Sequence, residues 1–210
     1  SVLEHVIGNS PVIGSEYGAF LDTTYRLRPE ILQFISEQFY KSELRSDGDR
    51  CEKREVEKGS GLFWISVSHD GDCVNESQEE AEKVSQIIRE LIGTKWVDVK
   101  GDKNEPVEKE LTIDDFMVVA PYNAQVNLIQ KTLERSEYLR DKIDNFKIRE
   151  IVGTVDRFQG KEAPVVIYSL TTSHEDLMQA GRKGDFLFSP NRFNVAVSRA
   201  QCLTFVLSTE

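Results

Sequence analysis

Two arginines stand beside aromatic or apolar anchors in distant parts of this chain. Arg26 follows Tyr25 in TTYRLRPE (Thr23–Glu30), and Arg199 lies near the far end of the stretch NRFNVAVSRA (Asn191–Ala200). A guanidinium is planar, permanently charged and donates as a fork. Two of them on separate elements suit an anion with charge spread over several oxygens, such as a nucleoside triphosphate losing its last phosphoryl group. Tyr25 offers a face on which a purine can stack while Arg26 reaches phosphates; a core tyrosine followed by a surface arginine is the competing reading. Arg192 serves equally well as a surface or capping charge.

Two further stretches could hold a ligand. In Gly153–Glu162 (GTVDRFQGKE), Gly160 lets the backbone approach closely and turn its amide toward an anion. Thr154 and Gln159 can donate to a phosphodiester, and Glu162 can accept from a ribose hydroxyl or pair with a cation; an ordinary polar turn is the alternative. In PYNAQ (Pro121–Gln125), Tyr122, Asn123 and Gln125 could stack on or hydrogen-bond to a single nucleic-acid strand, against the plainer reading of a helix start with Asn123 exposed. His5, His69 and His174 lack metal-ligand spacing, no metal site is expected, and Trp64 and Trp96 read as core residues.

These residues need elements to position them. Ala19–Thr23 reads as a short strand, and Pro29 opens a helix whose apolar face is Ile31, Leu32, Ile35 and Phe39, ending near Tyr40. Lys41–Ser60 reads as a polar loop or insertion. Leu62–Val67 is a strand, and Ser77–Ile92 an amphipathic helix stopped by Gly93. Lys95–Glu110 reads as charged linker. Phe116–Ala120 is a strand, Tyr122–Leu133 a helix, and Ile148–Val155, Val165–Leu170 and Leu203–Leu207 are further strands, with Asn191–Ala200 the last helix. Apolar strands alternating with amphipathic helices predict an α/β fold: a mostly parallel sheet covered by helices on both faces. Ligands of such sheets bind beyond the carboxyl ends of the strands. Thr23–Pro29, Pro121–Gln125 and Thr154–Glu162 are therefore expected to gather on that edge.

At 210 residues, 39% apolar and 30% charged, the chain is sized for one large domain. No apolar run reaches the roughly 18 residues of a membrane span, and Ser1–Gly14 has no signal-peptide pattern, so no membrane partner is expected. Three scattered cysteines argue for thiols in a reducing, cytoplasmic setting. The net charge of −10 speaks against nucleic acid, but its distribution does not. Residues 145–210 carry +1, and the other 144 carry −11. Screening over about 8–10 Å leaves a locally neutral or basic face free to meet phosphates.

The motifs TTYRLRPEI with Phe39–Tyr40, VVAPYNAQ, VGTVDRFQGKE and NRFNVAVSRA, in this order over nearly the whole chain, resemble the second RecA-like motor domain of superfamily 1 helicases. The resemblance extends to the 5′-to-3′ branch that contains the nonsense-mediated-decay helicase. It implies that Tyr25 packs on adenine, that Arg26 and Arg199 contact the γ-phosphate as paired fingers, that Gly160 approaches it through the backbone and that Glu162 engages the ribose. It implies that Thr154, Pro121 and Tyr122 hold the backbone of single-stranded DNA or RNA. Ala120 and Arg157 stand where the family often has Thr and Ser, and Ser198 replaces a frequent Thr. The chain carries no GxxxxGK[ST] phosphate loop and no Asp-Glu pair ending an apolar strand. ATP and Mg²⁺ are therefore expected mainly on an N-terminal RecA-like domain of the same polypeptide, and the opening SVLEHVIG resembles the helix that follows the last motif of that domain. Residues 1–210 are expected to form the carboxyl-terminal half of a motor, inactive alone. A nucleic-acid-binding or regulatory RecA-like module that has lost catalysis is the alternative. An unrelated α/β nucleotide-binding enzyme would bind ATP without a second domain.

Overall fold

A computed structural model of the chain describes residues 13, 18–70, 73–100, 104–140, 143–171 and 190–209. The irregular start expected over residues 1–18 and the helix expected in SVLEHVIG fall almost wholly outside these. In chain order the strands are β1 (Thr23–Thr24), β2 (Arg45–Ser46), β3 (Glu55–Val56), β4 (Gly61–Ser66), β5 (Lys95–Lys100), β6 (Glu105–Glu110), β7 (Phe116–Val119), β8 (Val152–Gly153), β9 (Ala163–Ser169) and β10 (Ala200–Ser208). The α-helices are α1 (Pro29–Phe39), α2 (Gly48–Cys51), α3 (Gln78–Leu91), α4 (Asn123–Arg135), α5 (Glu137–Arg140), α6 (Asn145–Ile151) and α7 (Pro190–Val197).

Five strands form a parallel sheet in the order β4-β10-β9-β7-β8. Its central strands are buried on both faces, and successive side chains enter opposite cores. Val118, Val165 and Ile167 meet Ala81, Val84, Ile88, Val126, Ile129 and Leu133 of α3 and α4. Met117, Val119, Val166 and Tyr168 meet Ile31, Leu32 and Ile35 of α1, Phe158, and Ala196 and Val197 of α7. The sheet is thus covered by helices on both faces, as the alternating pattern predicts for a RecA-like fold. The longest of the described helices is α3, whose N-cap Ser77 accepts from the Glu80 amide, a bond worth about 1 kcal/mol.

Several expectations about the elements fail for definable reasons. Residues 41–60 are not a loop: they supply β2, α2 and β3, held by hydrogen bonds to main-chain carbonyls rather than by an apolar period. Residues 95–110 are not a linker but the β5–β6 hairpin, joined to β3 in an antiparallel sheet. Its charges pair across the strands, Lys95 with Glu108 at 2.7 Å and Lys109 with Asp98 at 2.6 Å, while Trp96 and Val99 turn into the core. The strand expected at Ile148–Val155 is mostly α6, because Asp144 caps its start and Ile148 and Ile151 share a helical face; only Val152–Gly153 joins the sheet. Trp64 lies on the edge strand β4 and is 61% exposed, not core. Among the described residues no helix is long and apolar enough to cross a membrane.

Candidate functional site

Arg26 sits between β1 and α1. Its Nε donates to Glu162 Oε2 at 2.5 Å and its Nη1 to the Ser198 carbonyl at 3.2 Å. Gln201 Nε2 donates to the other Glu162 oxygen at 2.7 Å. Arg199 directly precedes β10, and its carbonyl accepts from the Ala163 amide at the start of β9, which brings it beside Glu162. The Arg199 Nε is buried and has no hydrogen-bond partner.

Arg199 feels the charge of both Arg26 and Glu162. Burial lowers the Arg199 pKa, the Arg26 cation lowers it further, and Glu162 partly offsets both; a guanidinium stays protonated regardless. Burial alone would raise the Glu162 carboxyl, but the hydrogen bond and charge of Arg26, with Gln201, outweigh it and hold its pKa below the ordinary value. Tyr25, 59% exposed, presents its ring to solvent rather than to the core. Tyr25, Arg26, Glu162 and Ser198 line one cleft of about 500 Å³, together with Arg50, Arg54 and Asn194. The cleft holds more guanidinium than carboxylate, and Arg50, Arg54 and Asn194 each keep a buried polar atom without a partner. Such a balance suits a polyanion.

This cluster lies at the amino ends of β9 and β10, not at the carboxyl edge where the sequence places it. Two things account for the difference. The β1 pair stands outside the central sheet, hydrogen-bonded to β2. Thr154 follows β8 at the carboxyl edge, but Val155–Phe158 then forms a 3₁₀ turn whose Val155 and Phe158 bury in the core, and the chain returns to Glu162 just before β9. Gly153 allows this return: a Cβ there would come within 2.6 Å of Arg157 Cδ. Gly160 lies in the returning turn with φ +80° and open space around its Cα, and Gln159 beside it is exposed.

Pro121, Tyr122 and Asn123 do lie at the carboxyl edge. They follow β7, and Thr154 follows the adjacent β8, with Ala120 N–H donating to the Gly153 carbonyl at 3.1 Å. Tyr122 and Thr154 are half-buried, Asn123 is exposed, and the Thr154 hydroxyl makes no capping bond. Gln125 is unavailable to a ligand. It is fully buried, receives the Ser77 amide at 2.8 Å, and donates to the Ser77 carbonyl and Ser169 Oγ. Ser169 in turn donates to the buried Glu80 at 2.5 Å, which also accepts from the Thr171 amide and lies 3.1 Å from His69 Nε2. Sequence reasoning missed this network, because a buried Gln or Glu looks like any exposed one.

A protein-family model described as an AAA domain matches residues 1–210, the whole chain. The chain belongs to that family. Its similarity to helicases runs over most of that length. It is 26% identical to an uncharacterized ATP-dependent helicase of Methanocaldococcus jannaschii over 93% of this chain and 27% of the relative. It is 27% identical to DNA polymerase alpha-associated DNA helicase A of Schizosaccharomyces pombe over 86% of this chain and 26% of the relative. The Saccharomyces cerevisiae protein of the same name is 26% identical over the same shares of both. This AAA domain is a superfamily 1 helicase domain, and it spans about a quarter of the length of these relatives.

Proposed function

We propose that this AAA domain is the second, carboxyl-terminal motor half of an ATP-dependent superfamily 1 helicase acting on single-stranded DNA or RNA. A first RecA-like domain of the same polypeptide holds most of the ATP and its Mg²⁺. Bound ATP supplies the transferable phosphoryl group, and the metal neutralises part of its charge. On this chain Arg26 and Arg199 reach across the interdomain cleft to the γ-phosphate, Tyr25 stacks on the base, Gly160 approaches through its backbone and Glu162 turns to the ribose. Pro121, Tyr122, Asn123, Thr154 and Gln159 grip the strand. The buried thiols Cys51 and Cys202 suit a reducing cytoplasm.

The observation that carries this reading is that Arg26 bonds Glu162 and the Ser198 carbonyl, next in the chain to Arg199 173 positions away, and that Arg199 feels the charge of both groups with a buried Nε–H left unpaired. Such a donor is costly unless a ligand takes it up. In the free domain Glu162 holds Arg26 in place; arrival of a phosphate chain gives Arg26 a stronger acceptor and releases Glu162 toward the sugar. The decisive variant is Arg199→Ala in the complete protein. Hydrolysis is expected to fall by about 10³–10⁵-fold while nucleotide binding persists. Unchanged turnover would remove the finger assignment.

A further inference from the structure

The segment 45–54, polar in sequence, wraps the turn that carries Tyr25 and Arg26. Arg45 N–H donates to the Asp22 carbonyl at 2.6 Å and Asp47 N–H to the Thr24 carbonyl at 2.9 Å. Ser46 Oγ donates to the Leu27 carbonyl at 2.6 Å. The two carbonyls between these, of Tyr25 and Arg26, are both taken by one atom: Arg54 Nη1, at 3.0 and 2.8 Å. Four consecutive carbonyls, Thr24 through Leu27, are thus held by residues 46–54.

Arg54 is the unusual member. Its side chain is buried, 3% exposed for the residue, and among the described residues it forms no ion pair. Its own carbonyl is in turn held by Arg28 Nη1, which also bonds the Glu52 carbonyl and is braced by Glu30. A buried unpaired guanidinium is expensive and is not needed merely to close a turn, which neutral donors accomplish. Here the cation faces the cleft of Arg26 and Glu162, and it contributes to holding the Glu162 carboxyl ionised.

We propose that Arg54 is a positioning residue for the nucleotide site: it grips the Tyr25 and Arg26 carbonyls, and so fixes the stacking ring and the finger in one geometry. The proposal rests on the nucleotide reading given above. A planar guanidinium is the group suited to the task, because the two N–H directions of its Nη1 are fixed, whereas Lys would offer a flexible ammonium and neutral side chains no charge. Displacement of a reacting-site group by about 1 Å costs on the order of 10²-fold in rate.

The test measures kcat and KM for ATP, and Tm, in the complete protein carrying Arg54→Gln, Arg54→Lys, Arg26→Ala or Val126→Ala, the last in the core on the opposite face of the sheet. Arg54→Gln is expected to lower kcat by about 10²-fold and raise KM, and Arg54→Lys to lose about tenfold in kcat. Val126→Ala, destabilised through packing alone, keeps its kcat. A wild-type kcat in Arg54→Gln, or a loss no larger than in Val126→Ala at equal Tm, overturns the proposal. If Arg54→Gln does not fold, a wild-type kcat in Arg54→Lys overturns it instead. Loss of turnover in Arg26→Ala with normal Arg54 variants sinks this proposal alone. Full turnover in Arg26→Ala sinks the underlying reading and the proposal with it.

Discussion

At the amino edge of the central sheet, the Glu162 side chain is 43% exposed and divides its oxygens between Arg26 and Gln201. At the carboxyl edge, the Glu80 side chain is 0% exposed and is held by Ser169, Thr171 and His69. The first carboxylate sits among an excess of guanidinium groups with donors to spare. The second sits where polar groups consume one another: Gln125 ties α4 to Ser77 and Ser169, and Ser169 ties Gln125 to Glu80. Glu80 also fixes Thr171, a β-branched residue at φ +79°, by its backbone amide. A site prepared for a ligand and a site prepared for rigidity are therefore built from the same residue types. What separates them is where the unpartnered groups lie: around Glu162 they are guanidinium N–H donors beside an open cleft, and around Glu80 there is one ring nitrogen of the buried His69.

The largest expected effect tests the amino edge. Arg26→Ala should reduce ATP turnover of the complete protein by about 10³-fold or more, with affinity for a single strand unchanged. Steady-state hydrolysis and a strand-binding titration check it. Loss of strand affinity with normal turnover would exchange the roles of the two edges.

Next comes the rigid network. Glu80→Ala leaves the Ser169 hydroxyl and the Thr171 amide buried without their acceptor. The expected loss is about 3 kcal/mol, or roughly 6–12 °C in Tm for a domain of this size. Thermal unfolding measures it. A drop under about 1 kcal/mol would mean that the network is not what holds this edge.

A smaller effect separates the outward face of the carboxyl edge from its interior. Tyr122→Ala should weaken single-strand binding by about 1–3 kcal/mol, since base stacking on an aromatic ring is worth that much, while hydrolysis without nucleic acid stays normal. Equal affinities of the variant and the wild-type protein would remove Tyr122 from the strand site.

Much of this arrangement is legible in the sequence where apolar periodicity decides the outcome. Ala81, Val84, Ile88 and Leu91 give α3 its buried face, with Ser77 and Gly93 marking its ends, and Phe116–Ala120 reads as a strand, of which Phe116–Val119 forms, buried throughout. Arg26, Glu162 and Arg199 are legible because each lies next to such an anchor. Arg54 is not: its burial follows from carbonyls 28 and 29 residues away, and nothing in its neighbourhood marks it as different from Arg45 or Arg50. The spacing of Ile148 and Ile151 fits a helix as well as a strand over so few residues, and only the Asp144 cap decides. The edge of the sheet on which the arginines meet depends on how Thr154–Glu162 folds back, which is a matter of path rather than composition.

The smallest effect contrasts the two carboxylates directly, through pH. The folded pKa of Glu162 lies below its ordinary value of 4.5, so its contribution to stability is present above that value and is lost as pH falls through the folded pKa. Burial raises the folded pKa of Glu80 above 4.5, against the opposing pull of Ser169, Thr171 and His69, so its contribution is full below 4.5 and is lost as pH rises through the folded pKa. The signs are opposite. Thermal midpoints of the wild-type protein, Glu162→Gln and Glu80→Gln against pH therefore diverge in a defined way. The advantage of wild type over Glu162→Gln shrinks on acidification below about pH 4.5, and its deficit or advantage relative to Glu80→Gln shifts in favour of wild type as pH falls from neutrality toward that value. His69 Nε2 lies 3.1 Å from Glu80, so the second comparison is made in a His69→Asn background. Glu162 is partly solvated and its ion pair is screened, which makes its effect the weaker one. Two differences that moved with pH in the same direction would show that one edge has been misjudged: either Glu162 is more deeply desolvated than its exposure indicates, or the donors around Glu80 outweigh its burial.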